Sequence, residues 1–416
     1  MSLEDIDLID PNTFTAGYPH DPWTRLRREA PVYWYERDNV DPFWAITKHA
    51  DIAEISRQPE TFLSEPRLMI APKREGQEDG PPIPIRTIVN MDPPDHRAYR
   101  QVGNSWFTPR TIGRLEEKIR MMARARVEDL STRARDHAGG QLEFDFVSEF
   151  AARFPLRVMA EILGVPEEDE DIVLQLTNEQ FGADDAEFNQ GRSGGQTQME
   201  AMQKLFVYLN GLAAKRREEP TEDFASFLAN AKLEGGEPLG DLELIGYYVI
   251  VATAGHETTR NAISGGMAAL LEHPEQMARL RDDPTAIKGA IEEVIRWSTP
   301  VIQFARTATR DYALRGKTIR EGDDVCLFYP SANRDEEVFE EPFHFRIDRK
   351  PNPHLGFGIG EHFCLGSHLA RLEIRVFLEE FVGKLATVER AGEAERLSSS
   401  FVGGVKHLPI RARFAG

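Results

Sequence analysis

The chain is 416 residues long, more than one domain usually holds, and its 41% hydrophobic and 29% charged residues suffice for a large buried core. With 50 Lys+Arg against 69 Asp+Glu the formal charge is -19, which repels nucleic acid and anionic membrane surfaces and removes both as general partners. The cysteines are Cys326 and Cys364 alone, which excludes a disulfide framework and points to a reducing compartment, the cytoplasm. Neither a basic-then-apolar leader nor a window of ~18 apolar residues occurs, so no membrane anchor is expected.

From the N-terminus, residues 22–29 read as a short helix. The β-like runs 32–36 and 43–47 follow, and Asp38-Asn39 makes them a hairpin. Glycine, proline and charge cluster at 73–84, and polar residues with glycine at 182–195. Composition does not change across either stretch, so both are long loops on one body. A helix is expected over 111–135, where Leu115, Ile119 and Met122 share a face. Others are expected over 147–163, 197–218, 241–271, 284–297 and 364–385. The stretch 241–271 is apolar nearly all round, which places it across the core. A β-rich patch at 301–328 carries turn signals at Arg315-Gly316 and Glu321-Gly322. The fold class is mainly α with a minor β-sheet region, one large domain over 1–416.

The segment richest in chemistry is Phe357-Gly358-Ile359-Gly360-Glu361-His362-Phe363-Cys364-Leu365-Gly366, before an amphipathic helix. Gly356, Gly358 and Gly360 allow a tight loop to press against a flat group. Cys364 falls at or just before the helix start, where free N–H groups and the macrodipole favour a thiolate and lower its pKa. A thiolate in a glycine-rich loop suits an axial haem ligand. A dinucleotide G-x-G-x-x-G fails because Phe363 takes the last glycine position and no β-α-β unit precedes it. A zinc site from His354, His362, Cys364 and His368 lacks the C-x-x-C or H-x-x-x-H spacing. A buried free thiol suits Cys326, within Val325-Cys326-Leu327-Phe328, but leaves the glycines and His362 unexplained.

Ala254-Gly255-His256-Glu257-Thr258-Thr259 lies inside the apolar helix, where an acid beside hydroxyls is expensive unless paired or used. Gly255 weakens that helix by about 1 kcal/mol relative to Ala, and hydroxyls compete for its carbonyls, so a local groove is expected. The metalloprotease pattern H-E-x-x-H fails at Arg260. The bland alternative is a surface Glu257–Arg260 pair at i,i+3.

The first motif resembles the haem-binding loop of the cytochrome P450 family, and the second resembles the A-G-x-[DE]-T motif of its central helix. The resemblance implies haem b, with Cys364 as metal ligand in a loop shaped by Phe357, Gly358 and Gly366. The haem would lie between the central helix near 241–271 and the helix starting at 364. Glu257 and Thr258 would deliver protons to the dioxygen being cleaved. Glu293 and Arg296 match the family's E-x-x-R, a buried structural ion pair. A third member usually comes from P-x-R-F; here the stretch is Pro342-Phe343-His344-Phe345, so His344 stands in its place. His96 and Arg100, one helical turn apart, together with Arg306 and His362 match propionate donors. Without the resemblance, the first two read as a solvated basic face.

The activity so implied is insertion of one oxygen atom from O2 into an unactivated C–H bond of a hydrophobic substrate. The other atom leaves as water, and two electrons come from a separate ferredoxin served by its reductase. Gly255 to Asn261 and Asn352-Pro353-His354 resemble bacterial members that hydroxylate sterol side chains, branched lipids or fatty acids; terpene and alkane hydroxylases share parts of these motifs. Apolarity and family topology place Ile70, Ile88, Val89, Ala252, Val301, Ile302, Phe304 and Phe401 around the substrate, though each also suits an ordinary core. Gln303, polar in an apolar run, would orient a hydroxyl or carbonyl. Arg371 and Arg375 read as a docking patch or as a solvated helix face. Rival readings are a peroxide-using haem-thiolate enzyme and a non-catalytic haem carrier or sensor, neither of which needs the acid–alcohol pair. A zinc hydrolase with Glu257 as base is the remote third.

Overall fold

The structure is a computed structural model that describes residues 2–73 and 85–415. Of the loop expected at 73–84, all but Lys73 lies outside the described residues. The helices that matter for the site are α1 (Asp95–Trp106), α2 (Pro109–Asp136), α3 (Arg153–Leu163), α4 (Glu170–Phe181), α5 (Gly194–Glu218), α6 (Asp241–Glu272), α7 (Ile287–Ser298) and α8 (Ser367–Val376). Their starts follow capping chemistry. Thr108 accepts from the Thr111 N–H ahead of Pro109, and Ser193 with Gln196 forms a capping box ahead of α5.

The long apolar pattern becomes α6, mostly buried from Leu244 to Leu270 but half-buried along one face at Ile250, Val251, Ala254, Gly255 and Thr258, and packed against α3, α5, α7 and α8. It is helical without a break. The Thr258 hydroxyl donates to the Ala254 carbonyl at 2.9 Å, one turn back, so its competition for the backbone is absorbed within an unbroken helix. Three expected helices are composite. Residues 147–163 open with a π-helical turn, Val147–Ala151, and residues 284–297 with a 3-10 turn, Pro284–Ala286. Residues 364–385 are α-helical only over α8, then pass through a π turn (Phe377–Phe381) and a 3-10 turn (Val382–Lys384).

Five strands form the main sheet: β1 (Val32–Arg37), β2 (Val40–Ile46), β3 (Phe62–Leu63), β4 (Gln303–Ala308) and β5 (Asp324–Phe328), in the order β1-β2-β5-β4-β3. The β1–β2 hairpin forms as expected, β2 runs parallel to β5, and the other pairs are antiparallel. Alternation along β4 gives its two faces different tasks. Ala305 joins Ile70, Cys326 and Phe328 in one apolar cluster, while Phe304 joins Val301, Val325 and Leu327 in another.

The E-x-x-R pair holds the segment that leads to the cysteine. Glu293 and Arg296 are both fully buried and bonded side by side at 2.7 and 2.8 Å. Arg296 also donates to the carbonyls of Asn333 and Pro342 at 2.8 and 2.9 Å. The third member is not His344, whose side chain is 66% exposed beside Glu341. It is Arg349, whose Nε donates to Glu293 at 3.1 Å while its Nη2 donates to the His344 carbonyl at 2.8 Å. A guanidinium can answer a buried carboxylate and several carbonyls at once; a single imidazole cannot. Removing one partner of a buried pair leaves the other charge stranded, at about 3–5 kcal/mol. Glu293→Gln and Arg349→Ala should therefore lose about that much in a urea melt, and His344→Ala less than about 0.5 kcal/mol. Equal losses for Arg349→Ala and His344→Ala would overturn the assignment.

Candidate active site

The cysteine loop is fixed by its own backbone. The Gly358 N–H donates to the Leu355 carbonyl, Phe363 N–H to Gly360, and Cys364 N–H to Phe357, at 2.9 to 3.1 Å. Two of its turns need left-handed conformations, at Gly358 (φ 67) and Gly360 (φ 81). At Gly360 a Cβ would also come within 2.3 Å of the Ser56 carbonyl oxygen, which leaves glycine as the residue that fits. Cys364 lies three positions before α8, whose N-cap is Gly366, and the Gly366 N–H bonds to the sulfur. Burial nonetheless pushes the Cys364 thiol above its ordinary value. The expected lowering at a helix start is thus outweighed in the protein alone.

Around this loop four basic side chains converge. His96 is fully buried, and its ring lies 4.2 Å from that of His362, centroid to centroid. Arg100, one turn further along α1, donates from Nη2 to the Phe363 carbonyl. Arg306 on β4 is 5% exposed and donates to its neighbour's carbonyl, Ala305, at 2.6 Å. No carboxylate pairs with Arg306 among the described residues. His96 Nδ1 faces Glu361 at 3.3 Å, but its buried Nε2 has no partner among the described residues. Burial, reinforced by Arg306, His96 and Arg100, drives the His362 pKa down to about 2, so this imidazole stays neutral. Its Nε2 meets the Ser64 hydroxyl at 3.1 Å. Buried positive charge without an answering acid is costly, and a group bringing carboxylates would relieve it. These residues therefore fit the haem propionates. The α1 helix is seated close enough for this because Gly103 faces both Leu365 and Tyr247, where a Cβ would meet Leu365 at 2.8 Å.

The acid–alcohol pair sits on α6. Glu257 is fully buried, paired with Arg260 and 3.4 Å from the Asn261 amide. The i,i+3 pair is real but internal, not at the surface, and Arg260 is held in turn by Asn178 of α4 at 2.6 Å. Burial raises the Glu257 pKa against the pull of Arg260, and its Oε2 has no partner among the described residues. His256 is structural: its ring bonds Thr177 at 3.0 Å and the Ala252 carbonyl at 2.9 Å, and burial lowers its pKa to about 3.

The residues expected around the substrate are not all alike. Phe304 and Phe401 meet edge to face at 5.8 Å, and Phe401 also stacks near Phe181 at 6.4 Å. Ile70 and Ile302 belong to the core cluster with Trp23 and Phe328, whereas Ile88 and Ala252 join the main helical core. Val89 and Val301 are half-buried. Gln303 is a correction: it is fully buried on the face of β4 opposite Phe304, and its amide bonds the protein itself, so it has no group to offer a substrate. Arg371 and Arg375 are paired with Glu292 and Glu116, and Arg371 also stacks over Phe357, so neither is a free docking cation. Sequence reasoning missed Arg349 and Ser64, which only the tertiary fold brings to Glu293 and His362.

The sequence profile of the family described as Cytochrome P450 matches residues 71–388. The Cytochrome P450-terp of a Pseudomonas species is 41% identical over 407 residues, covering 95% of this chain and 93% of that one. The Steroid C26-monooxygenase of Mycolicibacterium smegmatis is 35% identical over 421 residues, covering 99% and 95%. Among solved structures, CYP108D1 from Novosphingobium aromaticivorans superposes with a TM-score of 0.87 at 38% identity, covering 98% and 97%. Mycobacterium marinum cytochrome P450 CYP268A2, in complex with pseudoionone, gives 0.88 at 34%, covering 98% of each chain. This chain belongs to the cytochrome P450 family. It is a monooxygenase whose cofactor is haem b, held through a cysteine thiolate.

An unanswered buried charge has a measurable consequence. Arg306→Leu should stabilise the haem-free protein by about 1–3 kcal/mol in a denaturant melt, because a costly desolvated group is removed. A loss of stability would mean that Arg306 is already satisfied within the chain.

Proposed function

We propose that this monooxygenase hydroxylates an unactivated C–H bond of a methyl-branched, isoprenoid-type substrate, with Cys364 as the sulfur ligand of the haem. The observation that carries the sulfur assignment is position. Cys364 stands in the glycine loop beside the four basic side chains, whereas Cys326 is sealed in β5 with its thiol donating to Gln303 at 2.8 Å. The haem would lie between α6 and the loop before α8. Arg306, His96, Arg100 and His362 would hold its propionates through charge-assisted and neutral hydrogen bonds. Phe357, Gly358 and Gly366 would shape the seat of the sulfur, and the Gly366 N–H would bond it.

Bound there, haem supplies the electron transfer and dioxygen activation that amino acids lack. The protein's own part is proton handling and exclusion of water. Thr258 Oγ1 donates to the Ala254 carbonyl and keeps its lone pairs free to accept from a water. Glu257 Oε2, without a partner among the described residues, is the atom that would exchange protons, while Arg260 and Asn261 bond the other oxygen and Asn178 holds Arg260. Electrons would come singly from a separate ferredoxin and its reductase, since two cysteines cannot furnish the four thiolates of a cluster. Two unpaired thiols suit a reducing cytoplasm.

Sterol side chains and terpenoids share branched, methyl-bearing carbon chains, and the relatives named for a steroid C26 reaction and as P450-terp support that shared chemistry. The higher identity to P450-terp favours a terpenoid over the sterol side chain first suggested by the motifs.

Cys364→Ala should lose the red-shifted Soret band that carbon monoxide gives with reduced thiolate-ligated haem; retention of that band would refute the sulfur assignment. Thr258→Ala should keep haem and substrate but divert consumed electrons into hydrogen peroxide, and Glu257→Gln should slow turnover by about 10²-fold or more. Unchanged coupling and turnover would remove both from proton delivery. A spin-state titration across monoterpenoids, cholestenone, branched fatty acids and alkanes tests the substrate class. A response confined to straight-chain fatty acids or alkanes would contradict it.

A further inference from the structure

Gln303 is polar and fully buried, on the face of β4 opposite Phe304. Its amide has two N–H donors and two acceptor positions, and all four are taken. Nε2 donates to the Ile70 carbonyl at 2.8 Å and to the Ser400 carbonyl at 3.1 Å. Oε1 accepts from the Ile70 N–H at 3.1 Å and from the Cys326 thiol at 2.8 Å. One side chain thus joins three segments that are far apart in sequence: the stretch before residue 73, the start of β4, and the loop around Ser400.

The same three segments meet again around this point. The Ala305 N–H donates to the Leu68 carbonyl and the Ile302 N–H to the Phe401 carbonyl, both at 2.8 Å. Val301 and Val402 form an isolated antiparallel bridge. On the opposite face of β4, Phe304 packs edge to face on Phe401. Neither the 70 segment nor the 400 loop pairs with β4 as a full strand, so their spacing from Phe304 depends on a few bonds. Gln303 supplies three of those bonds directly. An apolar residue there would leave the Ile70 N–H and two carbonyls buried without it.

We propose that Gln303 is a positioning residue for substrate, setting the distance between Phe304 and Phe401 by tying Ile70 and Ser400 to β4. This rests on the reading of Phe304 and Phe401 as pocket wall. Gln303 does not touch substrate; it holds the wall that does. Its loss would widen the orientations a bound molecule can take without altering the iron or its sulfur.

The test is optical titration of the haem-loaded protein with imidazole, which needs only access to iron, and with phenylimidazole, whose ring must also fit the wall. Gln303→Met, near in size but without the amide, should bind imidazole within about twofold of the parent and phenylimidazole about tenfold more weakly. Phe304→Ala and Phe401→Ala test the wall separately. If neither affects phenylimidazole, the wall reading fails. If they weaken it and Gln303→Met does not, the role of Gln303 is overturned. Should Gln303→Met not load haem, hydrogen exchange on the parent holoprotein decides instead. Phenylimidazole should then slow exchange at residues 68–71 and 399–403 together, and protection of one segment alone would overturn the tie.

Discussion

Arg306 sits inside the protein with no carboxylate against it among the described residues, and that imbalance organises the site. Its guanidinium, with that of Arg100, gathers positive potential that few described acids oppose, and the His96 and His362 imidazoles, whose pKa values burial lowers, add hydrogen-bonding nitrogens beside them. Glu361 answers His96 and Arg97 at the edge, and Asp92 caps the Ser64 and Glu65 N–H groups instead. Such an arrangement makes sense when part of the folded unit comes from outside the chain. A haem would carry two carboxylates into the interior and would complete the electrostatics that the described residues leave open.

The opposite arrangement governs the proximal scaffold, where charge is fully answered. Glu293 takes bonds from Arg296, Arg349, Asn352 and the Arg346 N–H. Asn333, whose carbonyl accepts from Arg296, uses its side-chain oxygen to hold the Leu355 N–H at 2.7 Å, just before the glycine loop. Alongside it, Arg371 and His354 both bind Glu292, and Arg371 covers Phe357. A buried carboxylate thereby fixes the loop that carries Cys364. The distal side is held differently. There α6 is a continuous helix locked by packing, and its acid is anchored by Arg260, itself held by Asn178, with one oxygen left without a partner among the described residues. Rigid sulfur, rigid acid and an unbalanced basic cradle are three consequences of the same core.

Much of this was legible because the chemistry is local in sequence. The glycines around Cys364 announce a tight loop, and an acid between Gly255 and Thr258 stands out in an apolar helix. The length and burial of α6, the hairpin of β1 and β2, and the turn at Arg315-Gly316 follow from periodicity and turn residues, and all appear where expected. The misses have a common cause: they depend on segments that meet only after folding. His344 occupies the familiar place in its motif, yet its ring faces solvent and Arg349 reaches Glu293 from five residues on. Gln303 looked like a substrate contact because its neighbours are apolar. Strand alternation turned it to the other face, where backbone groups from two distant segments needed it. Arg371 and Arg375 looked free on a helical wheel, but Glu292 and Glu116 come from other helices to pair them.

Central to the proposed haem site is a basic cradle that would hold two carboxylates. Haem-free protein titrated with haem and with haem dimethyl ester tests it directly, since the ester keeps the iron and the flat ring but loses both charges. Binding weaker by about tenfold or more for the ester, with the difference shrinking in Arg306→Leu, is the predicted result. Equal affinity for the two porphyrins would contradict it.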